Sequence, residues 1–273
     1  MSARLAGVLR RAASVVRHAP GFSSFAPLWS ALRGPDAAAL RALSGGSGVS
    51  VTVGGVAMRL GLPFAGVSWE TIEPESYVAF RSACTAGGVV FDVGAHIGTY
   101  TIIAARAVGA HGQVVAFEPV PGTRGALVQH LEMNTVSDRV RVRDVALGDA
   151  PGMLDLFVTS PVGDAEASPA TRPGAVAVRV VRSTVDAEQA QVARPVTVLK
   201  IDVEGQELVV LAGATRVLTH DRPVVLVSAH PAALAAQGRA VSDVTSLLAG
   251  HGYACRVVAQ DHEVHILATP MAQ

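Results

Sequence analysis

Charged and polar side chains end two consecutive apolar segments in the carboxyl-terminal half of the chain. Lys200 and Asp202 end the first segment, Glu204 follows in the next turn, and His230 comes directly after the second segment. Such groups among Val, Leu and Ile are costly to bury unless they are paired or lie in a cleft. We therefore predict a catalytic site in which His230 or Asp202 acts as general base and Lys200 holds Asp202 or stabilises an alkoxide.

The same side chains allow a second interpretation. Asp202, Glu204 and His230 carry oxygen and nitrogen donors that could hold Mg²⁺ and lower the pKa of a bound hydroxyl. Their spacing matches no metal-specific motif, so the sequence leaves both interpretations open. Glu207 begins the next predicted helix, where an acid is favourable for the helix dipole, and it requires no functional role.

A second group of residues surrounds a glycine-bracketed turn. Asp92 lies in an apolar strand, Gly94 and Gly98 bracket the turn, and an apolar helix follows. Glycine permits a tight turn and close approach of a ligand, and a helix N-terminus offers N–H groups to a carboxylate or phosphate. Glu118 ends the next strand, twenty positions beyond Gly98. An acid at that spacing accepts the ribose hydroxyls in nucleotide-binding βαβ units.

The residues within the turn discriminate between nucleotide cofactors. A dinucleotide fingerprint requires a glycine at the position of His96. With Ala95 and His96 in the turn, space remains for an amino-acid tail, which favours S-adenosylmethionine over NAD. We predict that Asp92 and residues 94–98 line the methionine part of this cofactor and that the acid of the next strand takes the ribose. Asp144, after the third strand, is predicted to accept the adenine amino group.

Alternating strand and helix patterns position these residues. The predicted strands are 88–93, 113–118, 139–145, 196–202 and 223–229, and the predicted helices are 97–108, 121–134, 205–219 and 239–250. This alternation predicts an α/β fold with a mostly parallel, Rossmann-like sheet and helices on both faces. Two further strands, 254–260 and 263–268, predict a carboxyl-terminal antiparallel hairpin that completes seven strands.

Composition shifts divide the chain into three predicted parts. Residues 1–48 form an Arg-rich helical extension with a flexible joint, for which a mitochondrial transit peptide is the alternative. Residues 49–86 form a hairpin and a helix that act as a cap or a lid. Residues 87–273 form the main domain. Its insertion at 148–195 is interpreted as a substrate-facing loop, with a disordered surface insertion as the alternative.

The overall composition excludes several classes of partner. The 273 residues are 50% hydrophobic with no net charge, so neither nucleic acid nor an acidic membrane surface is an expected partner. No apolar run is long enough for a membrane span. Cys84 and Cys255 have no metal or redox spacing and predict free thiols in a cytoplasmic protein. A homodimer remains open.

The segment from about 70 to 230 resembles the FkbM family of S-adenosylmethionine-dependent methyltransferases. The matching pieces are Glu73-Pro74-Glu75, Phe91 to Gly98, Ala116 to Pro119, Asn134, Ala146 to Asp149, Lys200 to Leu208, Leu211 to Ala214, Arg222-Pro223 and His230-Pro231. The resemblance implies a class I methyltransferase fold and O-methylation of a hydroxyl on a small-molecule acceptor such as a sugar, glycolipid or polyketide-type natural product. It also implies that Glu73 belongs to the cofactor site.

Two positions depart from the pattern of this family. Many members have Asn in place of His96 and Glu at or near Ser228, so a role of that Glu would fall here to His230, Asp202 or Glu204. The alternatives from other functional classes are an NAD-dependent oxidoreductase and a non-catalytic nucleotide-binding scaffold.

Overall fold

The structure is a computed structural model that describes residues 48–61, 64, 67–159, 167–171 and 173–272. The predicted amino-terminal helical extension lies outside the described residues, apart from Gly48 at the end of the flexible joint. Much of the middle of the predicted substrate-facing insertion also lies outside them.

Twelve strands occur in the described residues. In chain order they are β1 (Val49–Val53), β2 (Val56–Leu60), β3 (Val89–Val93), β4 (Gln113–Phe117), β5 (Val140–Arg143), β6 (Val145–Leu147), β7 (Gly152–Val158), β8 (Val176–Ser183), β9 (Val198–Asp202), β10 (Val224–Ala229), β11 (Tyr253–Gln260) and β12 (Val264–Pro270). Seven of them form the central sheet in the order β11-β12-β10-β9-β3-β4-β5. The five strands from β10 to β5 run parallel, and β12 pairs antiparallel with both β10 and β11. The predicted α/β fold with a carboxyl-terminal hairpin is confirmed.

Seven α-helices connect these strands in the described ranges. They are α1 (Pro74–Ala83), α2 (Thr99–Val108), α3 (Pro121–Met133), α4 (Val185–Gln189), α5 (Glu207–Ala212), α6 (Pro231–Ala236) and α7 (Val241–Gly250). None of them combines the length and hydropathy that crossing a membrane requires. The short helices α4 and α6 were not predicted from the sequence.

The central strand β3 is buried along its whole length, because helices cover both faces of the sheet. Val89, Phe91 and Val93 pack into one hydrophobic core, and Val90 packs into the second core on the opposite face. Successive residues of a strand point to opposite faces, so Asp92 shares the face of Val90. This places a carboxylate under α2, at the end of the strand that leads into the glycine turn.

The chain order changes direction at β3. The next strand, β4, lies on one side of β3, whereas β9 lies on the other side. In open parallel sheets, such a topological switch point creates a crevice at the carboxyl ends of the strands, where ligands bind. The polar residues predicted at the ends of β3, β4, β9 and β10 are therefore brought to one edge of the sheet.

Two predicted elements are divided in the structure. The predicted strand 139–145 breaks at Asp144, because β5 pairs with β4 whereas β6 joins β7 and β8 in a separate three-stranded sheet. The predicted helix 205–219 breaks near Gly213, where a Cβ would overlap the carbonyl oxygen of Gly148. A π-helical turn, Val217–Asp221, follows this break. A tertiary contact therefore ends a helix that the periodicity alone would continue.

The segment before the sheet packs on α2 and α3. Asn134 accepts a hydrogen bond from the backbone of Arg59 and donates one to it, which ties the β1–β2 hairpin to α3. Tyr77 of α1 contacts Thr99 at the start of α2 through their hydroxyls. The division of the chain at residues 48 and 86 remains a prediction.

Candidate active site

A cleft of about 450 Å³ opens at the carboxyl ends of the parallel strands. This volume lies in the range of small-molecule binding sites. Most of the residues predicted to act lie on its wall: Glu73, Gly94, Ala95, His96, Glu118, Lys200, Asp202 and Glu204. Residues from separate parts of the sequence therefore share one cavity.

The glycines of the turn are required by packing. Gly94 has a φ of +74°, and a Cβ there would overlap the carbonyl oxygen of Asp202 in the neighbouring strand. Gly98 has a φ of +94°, and a Cβ there would overlap the side chain of Leu127 in α3. These positions must be glycine because the turn lies against β9 and α3, whether or not a ligand approaches it.

Glu118 is held rigidly at the end of β4. Its Oε2 accepts a hydrogen bond of 3.0 Å from the backbone N–H of His96, and its Oε1 accepts one of 2.8 Å from the N–H of Val120. Burial raises the pKa of Glu118 to about 7, although these hydrogen bonds favour the carboxylate. Each carboxylate oxygen keeps acceptor capacity for another donor in the cleft.

Lys200 connects the glycine turn to the acids of β9. Its Nζ donates to the carbonyl oxygen of Gly94 at 3.0 Å and lies 3.3 Å from Asp92 Oδ1 and 3.4 Å from Asp202 Oδ2. Burial alone would lower the pKa of Lys200, but Asp202 and Asp92 outweigh it and raise the pKa above its ordinary value. Lys200 therefore remains an ammonium group that fixes both carboxylates, as predicted for Asp202.

Thr101 of α2 also contacts Asp92, donating a hydrogen bond of 2.6 Å to its Oδ2. Asp92 is fully buried and lies opposite Lys200 in the register of β3 and β9. These contacts give Asp92 a role in holding the end of the strand.

His230 lies among four carboxylates. Its Nδ1 is 2.7 Å from Glu207 Oε1, and its Nε2 is 3.7 Å from Asp202 Oδ1 and 3.4 Å from Glu204 Oε1. Glu263 Oε1 lies 3.3 Å from the same Nε2. Burial alone would lower the pKa of His230, but these carboxylates raise it well above its ordinary value. The predicted convergence of Asp202, Glu204 and His230 is present in the structure.

Two members of this cluster were not predicted from the sequence. Glu207, interpreted as a helix-start acid without a functional role, is fully buried and contacts the His230 ring. Glu263 immediately precedes β12 and was assigned to a strand of the hairpin. The available signal was topological: β12 runs antiparallel to β10, with Val264 paired to Ala229, so its first residues must lie beside His230.

Glu73 lies at the start of α1, with its carboxylate close to that of Glu263 and to the ring of His265. It has a φ of +45°, and its Oε2 accepts a hydrogen bond of 2.9 Å from the hydroxyl of Tyr100. Burial, with contributions from Asp202 and Glu263, raises the pKa of Glu73 to about 7. Tyr100, which the sequence analysis also missed, lies under Lys200 with its ring centroid 4.9 Å from Nζ.

Asp144 does not line the cleft in this structure. It is exposed between β5 and β6, whereas the next residues, 145–147, contribute to the wall. The adenine-binding role of Asp144 therefore remains a prediction.

Ser228, at the position where many relatives carry Glu, contacts the ring of His265 at 3.0 Å and is fully buried.

The charge of the cleft suits a positively charged ligand. Lys200 already contacts two acids, so the carboxylates on the wall exceed the cations among the described residues. Those carboxylates are Glu73, Glu118, Asp202, Glu204, Asp261 and Glu263. A sulfonium cofactor with ribose hydroxyls fits this set of carboxylates. Carboxylates accept hydrogen bonds from hydroxyl groups and stabilise a nearby positive charge.

Comparison with solved structures gives several methyltransferases. The FkbM methyltransferase of Methylobacillus flagellatus KT is 19% identical with a TM-score of 0.49, covering 76% of this chain and 52% of that one. Aeropyrum pernix fibrillarin in complex with S-adenosyl-L-methionine is 14% identical with a TM-score of 0.44, covering 71% of this chain and 76% of that one.

Sequence comparison gives a family and a curated relative. The chain is 31% identical over 163 residues to the hexuronic acid methyltransferase AglP of Haloferax volcanii. The alignment covers 59% of this chain and 61% of that protein, so it spans about three-fifths of the relative. The model of the methyltransferase FkbM domain matches residues 92–255. Because this match covers more than half of the chain, the protein belongs to the FkbM methyltransferase family.

Proposed function

We propose that the protein transfers a methyl group from S-adenosylmethionine to an oxygen of a sugar-type small molecule. One observation carries this proposal: Asp202 connects a nucleotide-type turn to a cluster able to accept a proton. Its Oδ2 lies 3.4 Å from Lys200, which also contacts that turn, and its Oδ1 lies 3.7 Å from His230. A cofactor and an acceptor bound in this cleft would therefore meet beside Asp202.

The cofactor would be held mainly by the segment from β3 to β4. Glu118 would accept the two ribose hydroxyls, and the turn at residues 94–98 would contact the methionine part. Glu73 provides a further carboxylate, near Glu263, and Asp144 would have to approach from its exposed loop to accept the adenine amino group. When bound, the cofactor supplies a methyl group on a positively charged sulfur, which makes it a good electrophile.

The remaining task of the protein is to hold an oxygen in line with the sulfur–carbon bond and to remove its proton. As the new carbon–oxygen bond forms and the sulfur–carbon bond breaks, the hydroxyl proton passes to Asp202, because the surrounding carboxylates keep His230 protonated and unable to accept it. Lys200 holds Asp202 in place and keeps its carboxylate ionised. The buried position of His230 prevents bulk water from competing for the same contacts.

We propose a hydroxyl as the acceptor oxygen. The named relative acts on a hexuronic acid, which offers both hydroxyl and carboxylate oxygens. The wall of this cleft carries carboxylates and a single, already paired lysine among the described residues. These carboxylates would repel a carboxylate of the acceptor, whereas they would accept hydrogen bonds from its hydroxyl groups.

The test is incubation with S-adenosylmethionine and paired acceptors, such as a hexose and its uronic acid, followed by mass spectrometry. A gain of one methyl that survives mild alkali indicates an ether and supports hydroxyl transfer. A methyl lost in alkali indicates an ester and contradicts the proposed acceptor oxygen. Asp202→Asn, which keeps the size of the side chain, should lose the product.

Binding measurements separate the alternative functions. Calorimetric titration should show binding of S-adenosylhomocysteine and none of NADH, because His96 replaces the glycine that a pyrophosphate requires. Tight NADH binding would instead support the oxidoreductase alternative. Product formation that Asp202→Asn leaves unchanged would show that the site is wrongly assigned.

A further inference from the structure

Four side chains from separate segments present ligand atoms to one point beside the cleft. Asp202 ends β9, Glu204 follows in the turn, His230 follows β10, and Glu263 precedes β12. One nitrogen or oxygen atom from each lies within 4.8 Å of the corresponding atoms of the other three. The parallel strands and the closing hairpin therefore assemble one compact set of three carboxylates and one imidazole.

Glu207 determines which nitrogen of His230 faces this set. Its Oε1 lies 2.7 Å from Nδ1, so Nδ1 is occupied by Glu207 and Nε2 faces the other three carboxylates. The same oxygen accepts a hydrogen bond of 2.8 Å from the N–H of Gly205, which fixes its position. A buried carboxylate behind an imidazole is the arrangement that orients histidine ligands in metal sites.

The other nitrogen of His230 lacks a hydrogen-bond partner. His230 is 8% exposed, and Nε2 is buried without a hydrogen bond. Three oxygens surround Nε2 at 3.3 Å (Glu263), 3.4 Å (Glu204) and 3.7 Å (Asp202). Ligand atoms bound at about 2.1 Å in a tetrahedral arrangement around one ion lie about 3.4 Å apart. The three observed distances bracket that spacing.

We infer that Asp202, Glu204, His230 and Glu263 bind one divalent transition-metal cation. Three carboxylates lie close together, two of them partly exposed to the cleft, and a divalent ion between them would offset more negative charge than a proton on His230 does. An ion at their centre would contact all three and would also use the unpartnered Nε2. The set contains Glu263, which the Mg²⁺ interpretation from the sequence did not include.

The ligand types indicate which ions fit. Mg²⁺ prefers an octahedron of oxygen atoms and retains several waters. An imidazole oriented by a buried carboxylate, with three carboxylate oxygens 3.3 to 3.7 Å from its free nitrogen, instead suits ions such as Zn²⁺ or Co²⁺. The role of the ion rests on the proposed function: it would hold the acceptor hydroxyl and lower its pKa, with Asp202 beside the departing proton. Binding of the ion does not depend on that function.

The test uses Co²⁺ as the probe, because its visible absorption reports the number and type of its ligands. The full chain, stripped with a chelator, is dialysed against Co²⁺ and its bound metal is counted. We expect one Co²⁺ per chain and the intense visible bands of a four- or five-coordinate site. Absence of bound Co²⁺, or only the weak spectrum of hydrated Co²⁺, would overturn the inference.

Two conservative variants test the ligands. Glu263→Gln and Glu204→Gln should each weaken Co²⁺ binding at least tenfold, because an amide is a poorer ligand than a carboxylate. Glu204 is partly exposed, so its variant tests the site even if Glu263→Gln does not fold. Unchanged Co²⁺ affinity in both folded variants would contradict the assignment.

Glu118→Gln is the matched control, since it removes the same charge from the same cleft outside the ligand set. It should weaken S-adenosylhomocysteine binding and leave Co²⁺ affinity unchanged. Glu263→Gln should weaken Co²⁺ binding and leave S-adenosylhomocysteine affinity unchanged. Loss of Co²⁺ binding alone would therefore reject the metal site and leave the proposed function standing. If the wild-type protein binds Co²⁺ but does not bind S-adenosylhomocysteine, the proposed function is rejected and the metal site stands.

Discussion

The two halves of the cleft are assembled in different ways. We call the segment 92–120 the cofactor half and the cluster of Asp202, Glu204, His230 and Glu263 the acidic half. The cofactor half is one continuous stretch of chain, from β3 through α2 to just beyond β4. The acidic half is assembled from the ends of β9, β10 and β12. Only the first half can be recognised by residue spacing, because its members are close in sequence.

The halves also differ in how their acids are held. Both oxygens of Glu118 accept backbone hydrogen bonds from within the cofactor half. In the acidic half, Asp202, Glu204 and Glu263 instead lie around Nε2 of His230, at 3.7, 3.4 and 3.3 Å. We therefore expect changes in the cofactor half to affect cofactor affinity and changes in the acidic half to affect turnover.

The largest expected effect is that of His230→Gln on turnover. Loss of the imidazole that holds Asp202 and would bind the activating ion should lower kcat by about 100-fold. The affinity for S-adenosylhomocysteine should change by less than about threefold, because the cofactor half is untouched. Steady-state kinetics and calorimetry check both values.

His220→Gln, an exposed histidine outside the cleft, is the control for this variant. A parallel loss of cofactor affinity and turnover in His230→Gln would show that the halves are not separable.

Gly94→Ala should damage both halves, since this glycine lies where they meet. The added Cβ would overlap the backbone of Asp202 in a left-handed conformation. We expect the free energy of unfolding to fall by about 3 kcal/mol, measured by urea denaturation.

Gly238→Ala separates the clash from the backbone strain. Gly238 follows the end of α6 and has a φ of +70° with open space around its Cβ position, so the cost should be only about 1 kcal/mol. An equal fall in the free energy of unfolding in the two variants would mean that the clash with β9 adds nothing to the backbone strain at Gly94.

Glu118→Gln should weaken S-adenosylhomocysteine binding by about 30-fold, equivalent to about 2 kcal/mol for hydrogen bonds to a charged group. The amide can accept at only one of its two positions, whereas the carboxylate accepts both ribose hydroxyls. Calorimetric titration measures the change. Glu263→Gln, in the acidic half, should change this affinity by less than about threefold, and a larger loss there would contradict the division.

The smallest expected effect is a pH dependence of cofactor binding. Burial raises the pKa of Glu118 to about 7, so the carboxyl group gains a proton as the pH falls through neutrality. The protonated form is a poorer acceptor, and S-adenosylhomocysteine affinity should therefore decrease below about pH 7, by at most tenfold per pH unit.

Glu118→Gln identifies the group responsible for this dependence. Glu73 also has a pKa raised to about 7, so a dependence that persists in Glu118→Gln would have to be assigned to Glu73. A flat profile in the variant would confirm Glu118.

Sequence alone determined much of the fold and, in the cofactor half, the position of the glycine turn and of Glu118. Strand and helix periodicity predicted the alternating sheet, and the spacing from Gly98 to Glu118 predicted the turn with its acid. These features follow from local geometry, because one strand, one turn and one helix fix where the next strand ends. Lys200 and Asp202 were also recognisable, since alternate residues of one strand share a face.

The sequence indicates Asp202, Glu204 and His230, but tertiary structure alone places Glu207 and Glu263 beside them. Glu207 matched a helix-start acid and Glu263 matched a hairpin residue, and nothing in their neighbourhoods in the sequence distinguishes them from surface carboxylates. They become site residues because β12 returns antiparallel beside β10 and because α5 begins under the ring of His230. Contacts between residues far apart in the chain depend on strand order and register, which residue spacing does not encode.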